Sequence, residues 1–506
     1  MKKKEKNRKK MEMEKKEKKK KEKKERNKRV KKAKKVRMDK KKSSTPLDLW
    51  GKVTATWPKK ILLEALDKAI PAQVIQMVLE KTQATGHRLR YLPGRVTVLL
   101  VLAMCLWPGV CMRDCLRNLI EGCRNGLHRL QEKVPVKSAI TAARTRLGVR
   151  PLRELFRFLA RPLATPTTKG AFYKGMRLVS FDGSTVNVPD SPENEKVFGR
   201  PGSNRGHAAF PQVRLVWLME VATRAALDFF AVPYHIGEST IVPRLFRTLK
   251  EGMLVLWDRG FHSYELWKTT MATGVQLLAR VQVRLIFTPI QRLQDGSFLA
   301  KLYPDYKNRS KDQNGILVRV IEYTLDDPKR TGHAQKHRLL TSLLDHVLYP
   351  ARELICLYHE RWEIELGMDE IKVHQNDNRP VLRSKTPRGV IQEIYGIMLL
   401  HFSLCHLRHE AALTINTDPD RLSFVHTLRV VQRAIPSFQN APTPALPALY
   451  RQMLSEITEE LLPDRRIRCY PRVVKRKMSN FRLKRPCHKN WPQPTRPFSD
   501  TIEVLK

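Results

Sequence analysis

The order of apolar and polar positions divides the chain into successive textures. From about Thr45 to Thr165 apolar residues recur at steps of three and four, as in ILLEALDKAI, VIQMVLEKT and LRELFRFLARPL, the period of amphipathic helices. Pro58, Pro71 and Pro151 stand where such helices begin. Residues 44–168 are therefore predicted to form an all-helical N-terminal domain. At Met176 the pattern turns to strands: RLVSFDGSTVNV, QVRLVWLMEVAT and ALDFFAVPY, separated by turn residues, predict a three-stranded meander. A helical run near Ile241 to Glu251, the short apolar strand MLVLWD, a helix from about Ser263 and the strand VQLLARV come next. The β-like segments DGSFLAKLY and GILVRVIEYTL flank the polar stretch YKNRSKDQNG and predict a β-rich insertion at about 283–345. From Ala351 to about Leu462 the helical period returns. The expected class is an α/β core over 169–415 with a β-rich insertion, preceded by an all-α N-terminal domain and followed by a helical C-terminal region, 416–506, with a basic tail.

Charge changes this picture most at the two ends. The 506 residues hold 96 Lys plus Arg against 49 Asp plus Glu, a net charge of +47, far beyond what solubility needs. A polyanionic partner is the simple explanation. Residues 1–43 are Lys-rich and almost free of apolar side chains, so they are expected to be a disordered tail that adds sequence-independent attraction to phosphate. Other classes are disfavoured. VTVLLVLAMCLW, Val96 to Trp107, is too short to span a bilayer, which needs about 20 apolar residues, and is expected to be a buried helix, so no membrane role is foreseen. No apolar segment follows the basic N-terminus as a secretory signal would require. The cysteines, among them Cys105, Cys111, Cys115, Cys123, Cys356 and Cys405, lack paired CxxC spacing and read as reduced core thiols of a cytoplasmic protein.

Phosphodiester chemistry with divalent metals needs carboxylates from distant parts of the chain to converge on the ions. Asp182 follows the strand RLVSF and precedes Gly183 and Ser184; Asp258 ends the strand LVLW and precedes Arg259, Gly260 and Phe261. A carboxylate at the C-terminal end of a strand is where α/β sheets place ligands, and Arg259 is placed to pair with the carboxylate or with phosphate. A third acid comes from the segment Tyr358 to Lys372. On a uniform helix Tyr358, Arg361, Glu365 and Lys372 share one narrow stripe, giving a metal ligand between two cations and a ring. Asp369, four residues beyond Glu365, is an equal competitor on geometry alone.

The spacing Tyr-x2-Arg-x3-Glu-x6-Lys resembles the YREK signature of the insertion element 4 family of DDE transposases, at all four positions. The likeness extends to SFDGSTVNVPDSPENEKVFGRPG, DRGFHSYELW, VLRSKTPRGVIQEIYG and PRVVKRKMSNFRLKR, and spans roughly Leu47 to Arg485. It favours Glu365 over Asp369. It implies a ribonuclease-H-like catalytic domain with a β-rich insertion between Asp258 and Glu365, as the antiparallel-then-alternating order of strands also suggests. It further implies Asp182, Asp258 and Glu365 as catalytic metal ligands for Mg²⁺, or Mn²⁺ in its place, and Tyr358, Arg361 and Lys372 as contacts to double-stranded DNA of the transposon ends. Members cut at the inverted repeats of their element and join the 3′ ends to target DNA, which implies a homodimer in the synaptic complex and a bacterial, nucleoid-associated location. Tyr303, Tyr306 or Tyr323 of the insertion is a candidate to hold a flipped base. The rival readings are a metal-dependent nuclease without strand transfer and a catalytically inactive DNA-binding derivative.

Overall fold

The structure, a computed structural model, describes residues 66–85, 92–121, 134–203, 206–330, 332–463, 494 and 496–505. The Lys-rich head, Pro58, Cys123 and the basic stretch 464–493 lie outside them. The central feature is a sheet built on β1 (Met176–Asn187), β2 (Gln212–Glu220), β3 (Ala226–Pro233), β4 (Met253–Trp257) and β5 (Gln276–Arg280), in the order β3-β2-β1-β4-β5. The first three pair antiparallel as the predicted meander, while β4 and β5 add in parallel. Parallel addition needs a crossover between strands, and Glu238–Leu245 and Tyr264–Met271 supply helices for it. This arrangement fits a ribonuclease-H-like core. Ser263 caps the second of those helices by accepting from the Leu266 amide at 3.1 Å.

The insertion continues this sheet instead of folding apart. β6 (Phe298–Leu302), β7 (Ile316–Leu325) and β8 (His337–Thr341) form an antiparallel set, and β8 pairs with β5, so one sheet runs through both parts. Its last strand, β9 (Ile502–Val504), pairs with β7 and comes from the far end of the chain. The C-terminal region is thus helical only in part: Phe424–Asn440 and Leu446–Ile457 are helices, but the last described residues close the insertion. Within the polar stretch, Tyr306–Ser310 is a short helix capped by Asp305.

Alternation along the strands builds a core on each face. Val179, Phe181, Val255 and Trp257 pack with Ile241, Leu245 and Trp267 on one side. Leu178, Leu254 and Leu256 pack on the other with Leu354, Ile355 and Tyr358 of the helix Ala351–Tyr358. The second face is the one that carries the candidate chemistry.

Between 66 and 163 the regular elements among the described residues are helices, including Gly94–Leu106, in which 11 residues are buried as expected for VTVLLVLAMCLW. These helices are joined tightly to the C-terminal half of the chain. Arg383 donates to the carbonyls of Met104 (2.6 Å), Pro108 (3.0 Å) and Val110 (3.0 Å), closing the end of Gly94–Leu106. Gly396 allows the long helix Pro387–Thr414 to cross Gly94–Leu106 closely, because a Cβ there would lie 2.8 Å from Val101 Cγ1. Pro387–Thr414 is long and apolar enough to cross a membrane, but 89% of its most apolar window is buried inside the protein.

Candidate active site

The strand register brings the first two acids together. Ser180 of β1 lies opposite Leu256 of β4 in parallel pairing, and the Asp258 backbone stays extended (φ −79°, ψ 160°). Two residues further along each strand, in phase with Ser180 and Leu256, Asp182 and Asp258 therefore sit side by side on the second face. Gly183 after Asp182 has a direct reason: a Cβ there would lie 2.3 Å from the Glu238 carboxyl carbon. Glu238 is a fourth acid bordering the site, with no signal in the sequence beyond heading a helix.

The third acid arrives on a helical segment that is not uniform. Ala351–Tyr358 tightens to a 3₁₀ turn at His359–Trp362, resumes as Glu363–Asp369, and widens to a π turn at Glu370–His374. The two irregular turns depart from 100° per residue in opposite senses, which keeps the YREK positions near one stripe. Their roles nevertheless separate. Tyr358 is 6% exposed and its hydroxyl donates to the Trp257 carbonyl at 3.0 Å, so in this structure it is buried against β4 and is not available as the expected surface contact to DNA. Arg361 is buried, lies 6.0 Å from the Tyr358 ring, and donates to Glu365 Oε1 at 3.0 Å. Lys372 Nζ donates to Ser184 Oγ at 2.7 Å, two residues beyond Asp182 on the same face. Asp369 is exposed one turn past Glu365, and Arg259 is exposed beside Asp258.

Electrostatics tie these groups into one site. Burial pushes the Asp182 carboxyl up to about 7; the Gly183 amide and Arg361 pull it down, while Glu238 and Glu365 push it further up. Burial works against the charge on Arg361, but Tyr358, Asp258 and Glu365 outweigh it and hold the guanidinium firmly protonated. A carboxylate raised mainly by burial, with two further acids nearby, is short of positive charge, and an all-oxygen donor set suits a hard divalent ion. Asp182, Asp258 and Glu365 are the acids of this site that could hold one.

Among the described residues, the potential ligands that lie within 4.8 Å of one another in groups of three are Glu370, His401 and Cys405, and Glu360, Glu363 and Asp420; Asp182, Asp258 and Glu365 stand further apart than that. The first is already filled by cations. Glu370 accepts from Arg224 (2.5 Å), Arg408 (2.7 Å) and His401 (3.0 Å), while Glu363 accepts from Arg224 at 2.6 Å. This buried network fastens the Glu365 helix to the β2–β3 turn and to Pro387–Thr414. Nothing in the sequence pattern announced it.

The insertion aromatics are placed as follows. Tyr306 is 83% exposed, the Tyr303 hydroxyl donates to Asp312, and Tyr323 is buried in the sheet, where no base can reach its ring.

The Asp182 shift has a stability consequence. Because the acid is raised from 3.8 to about 7, the unfolded chain releases its proton more readily, and the group lowers stability as pH rises from about 4 to 7. With chelator present, Asp182→Asn is expected to unfold at a higher temperature than the parent at pH 8, an advantage that shrinks towards pH 4. Equal midpoints at pH 8 would rule out the raised carboxyl.

Comparison with known proteins finds two family profiles. "Insertion element 4 transposase N-terminal" matches residues 60–157, and "Transposase DDE domain" matches residues 173–402. The chain is 28% identical over 451 residues to "Transposase InsG for insertion sequence element IS4" of Escherichia coli (strain K12), covering 86% of this chain and 94% of that one. It is 27% identical over 208 residues to "Putative transposase InsZ" of the same organism, covering 40% and 66%. A piggyBac transposase synaptic complex with hairpin DNA aligns with a TM-score of 0.37 at 12% identity over 83% of this chain and 86% of that one, a likeness too slight to argue from.

Proposed function

We propose, on the premise that this chain belongs to the insertion element 4 family of DDE transposases, that it cuts DNA at the inverted repeats of its own insertion sequence and joins the freed 3′ ends to target DNA. What supports this reading is that Asp182 and Asp258, in phase on neighbouring parallel strands, both act electrostatically on Arg361, which pairs with Glu365. Mg²⁺, or Mn²⁺ in its place, held by Asp182, Asp258 and Glu365, would supply activation of water or of a 3′-hydroxyl and stabilisation of the departing oxygen in an in-line displacement at phosphorus.

The chain's own groups do the rest. Arg361, buried and paired with Glu365, balances the acids, while Lys372 and the exposed Arg259 offer cations to phosphate oxygens. Tyr358, through its bond to the Trp257 carbonyl, is a positioning residue that steadies the end of β4 where Asp258 begins. Ser184 orients Lys372. Double-stranded DNA of the ends and the target is the partner, with two copies of the chain pairing two ends.

The test supplies terminal-repeat duplex carrying a pre-cleaved 3′-hydroxyl together with a target plasmid. Joined product in Mg²⁺ and none in chelator is expected. Cutting without joining would replace this reading with that of a metal-dependent nuclease.

A further inference from the structure

A groove of about 980 Å³ opens beside the catalytic face, between the end of β1, the segment leading into β2 and the turn after the π stretch. Its volume is at the upper end of those that enclose small ligands, about 300–1,000 Å³, and so suits nucleotides taken one or a few at a time. The floor is apolar: the half-buried Val186 and Val373 give it surface, over Ile371, Ile394 and Met398, which are buried beneath. The rim is polar and basic, with Lys372, Asn376, Arg379 and His207, and the half-buried Phe210 stands at its wall. No aspartate or glutamate is among the described residues that line it. Asp377 and Asn378 turn the chain through positive φ (51° and 55°) just before Arg379, which lines the same groove as Lys372.

An intact duplex hides the faces of its bases and presents phosphates and base edges, so it has no use for an apolar floor. An unpaired strand has use for both parts: its phosphates meet cations while its bases cover apolar and aromatic surface. Lys372 belongs to both places, lining the groove and donating to Ser184 next to the acids. We propose that this groove receives an unpaired DNA strand leading away from the reacting phosphate, its backbone along Lys372 and Arg379 and its bases on the apolar floor and Phe210. The proposal rests on the catalytic reading above, because Lys372 joins groove to site, but it is read by binding alone.

The test uses the full chain in chelator at about 0.3 M salt, where attraction to exposed basic tracts is screened. A thymidine oligonucleotide of about 12 residues carrying 5-iodouracil is irradiated with the protein, alone or paired with its complement, and the adducts are mapped by mass spectrometry. Adducts on Phe210, on His207 or on Tyr234, which also lines the groove, are expected with the single strand, and at least about tenfold fewer with the duplex. Asn376→Glu, which puts an acid on the rim, should reduce them by about tenfold. Arg379→Ala, at an exposed position, gives the same reading should Asn376→Glu unfold. Adducts lying only outside the groove, equal labelling by duplex, or labelling unchanged in the folded variants would overturn the proposal. Failure of end joining with these adducts intact would count against the catalytic reading and leave the groove standing.

Discussion

Asp182→Asn is expected to lower DNA cutting and end joining by about a thousandfold or more, while leaving salt-dependent DNA binding nearly unchanged. Asparagine keeps the shape of the side chain and removes its charge. Asp182 lies two residues beyond Ser180, whose parallel partner Leu256 is two residues before Asp258, in surroundings that push its carboxyl up to about 7 and so favour a nearby cation. Losing that charge removes a ligand without disturbing the strand. Binding rests instead on Lys and Arg, which outnumber the acids 96 to 49 across the chain. Gel assays of cleavage and mobility shift on the same preparation separate the two effects. A variant that cuts terminal-repeat DNA within about tenfold of the parent would remove Asp182 from the site.

Glu370→Ala is expected to cost about 3–5 kcal/mol of stability, measured by denaturant unfolding. Glu370 is 2% exposed and anchors Arg224, Arg408 and His401, which are themselves buried. The cations hold its carboxyl well below the usual carboxylate range despite full burial, and although burial opposes protonation, Cys405 and Glu370 carry the His401 imidazole up to about 9. Without the carboxylate two guanidiniums and an imidazole face one another in the interior. The Glu365 helix then loses its links to Pro387–Thr414 and keeps only the Glu363–Arg224 bond to the β2–β3 turn, so cleavage should fall as well, although Glu370 touches none of the reacting groups. Unfolding within about 1 kcal/mol of the parent would show that the network contributes little.

Local pattern carried much of this structure. The change to strand period at Met176 marks β1 to β3, the run MLVLWD delivers Asp258, and Ser263 starts a helix where its capping chemistry says it should. What escaped the sequence depends on contacts between distant residues. A uniform 100° step could not foresee a 3₁₀ turn before Glu365 and a π turn after it, nor that Tyr358 would face β4. Nothing local in IEV announces a strand, because β9 exists only where β7 offers an edge. HRLLT was likewise too short to stand out before β5 paired with it. The charges of Arg224, Glu363, Glu370, His401 and Arg408 looked like ordinary helix and turn polarity, and only the fold buries them together.

Whether Asp182, Asp258 and Glu365 share one metal-binding site can be read without any DNA. Fe²⁺ replacing Mg²⁺, with ascorbate and peroxide, breaks the chain wherever the ion is bound. Cuts near Asp182, Asp258 and Glu365 together are expected, all three lost in Asp258→Asn. Cuts confined to the neighbourhood of Glu360, Glu363 and Asp420, or unchanged by that substitution, would contradict a shared site.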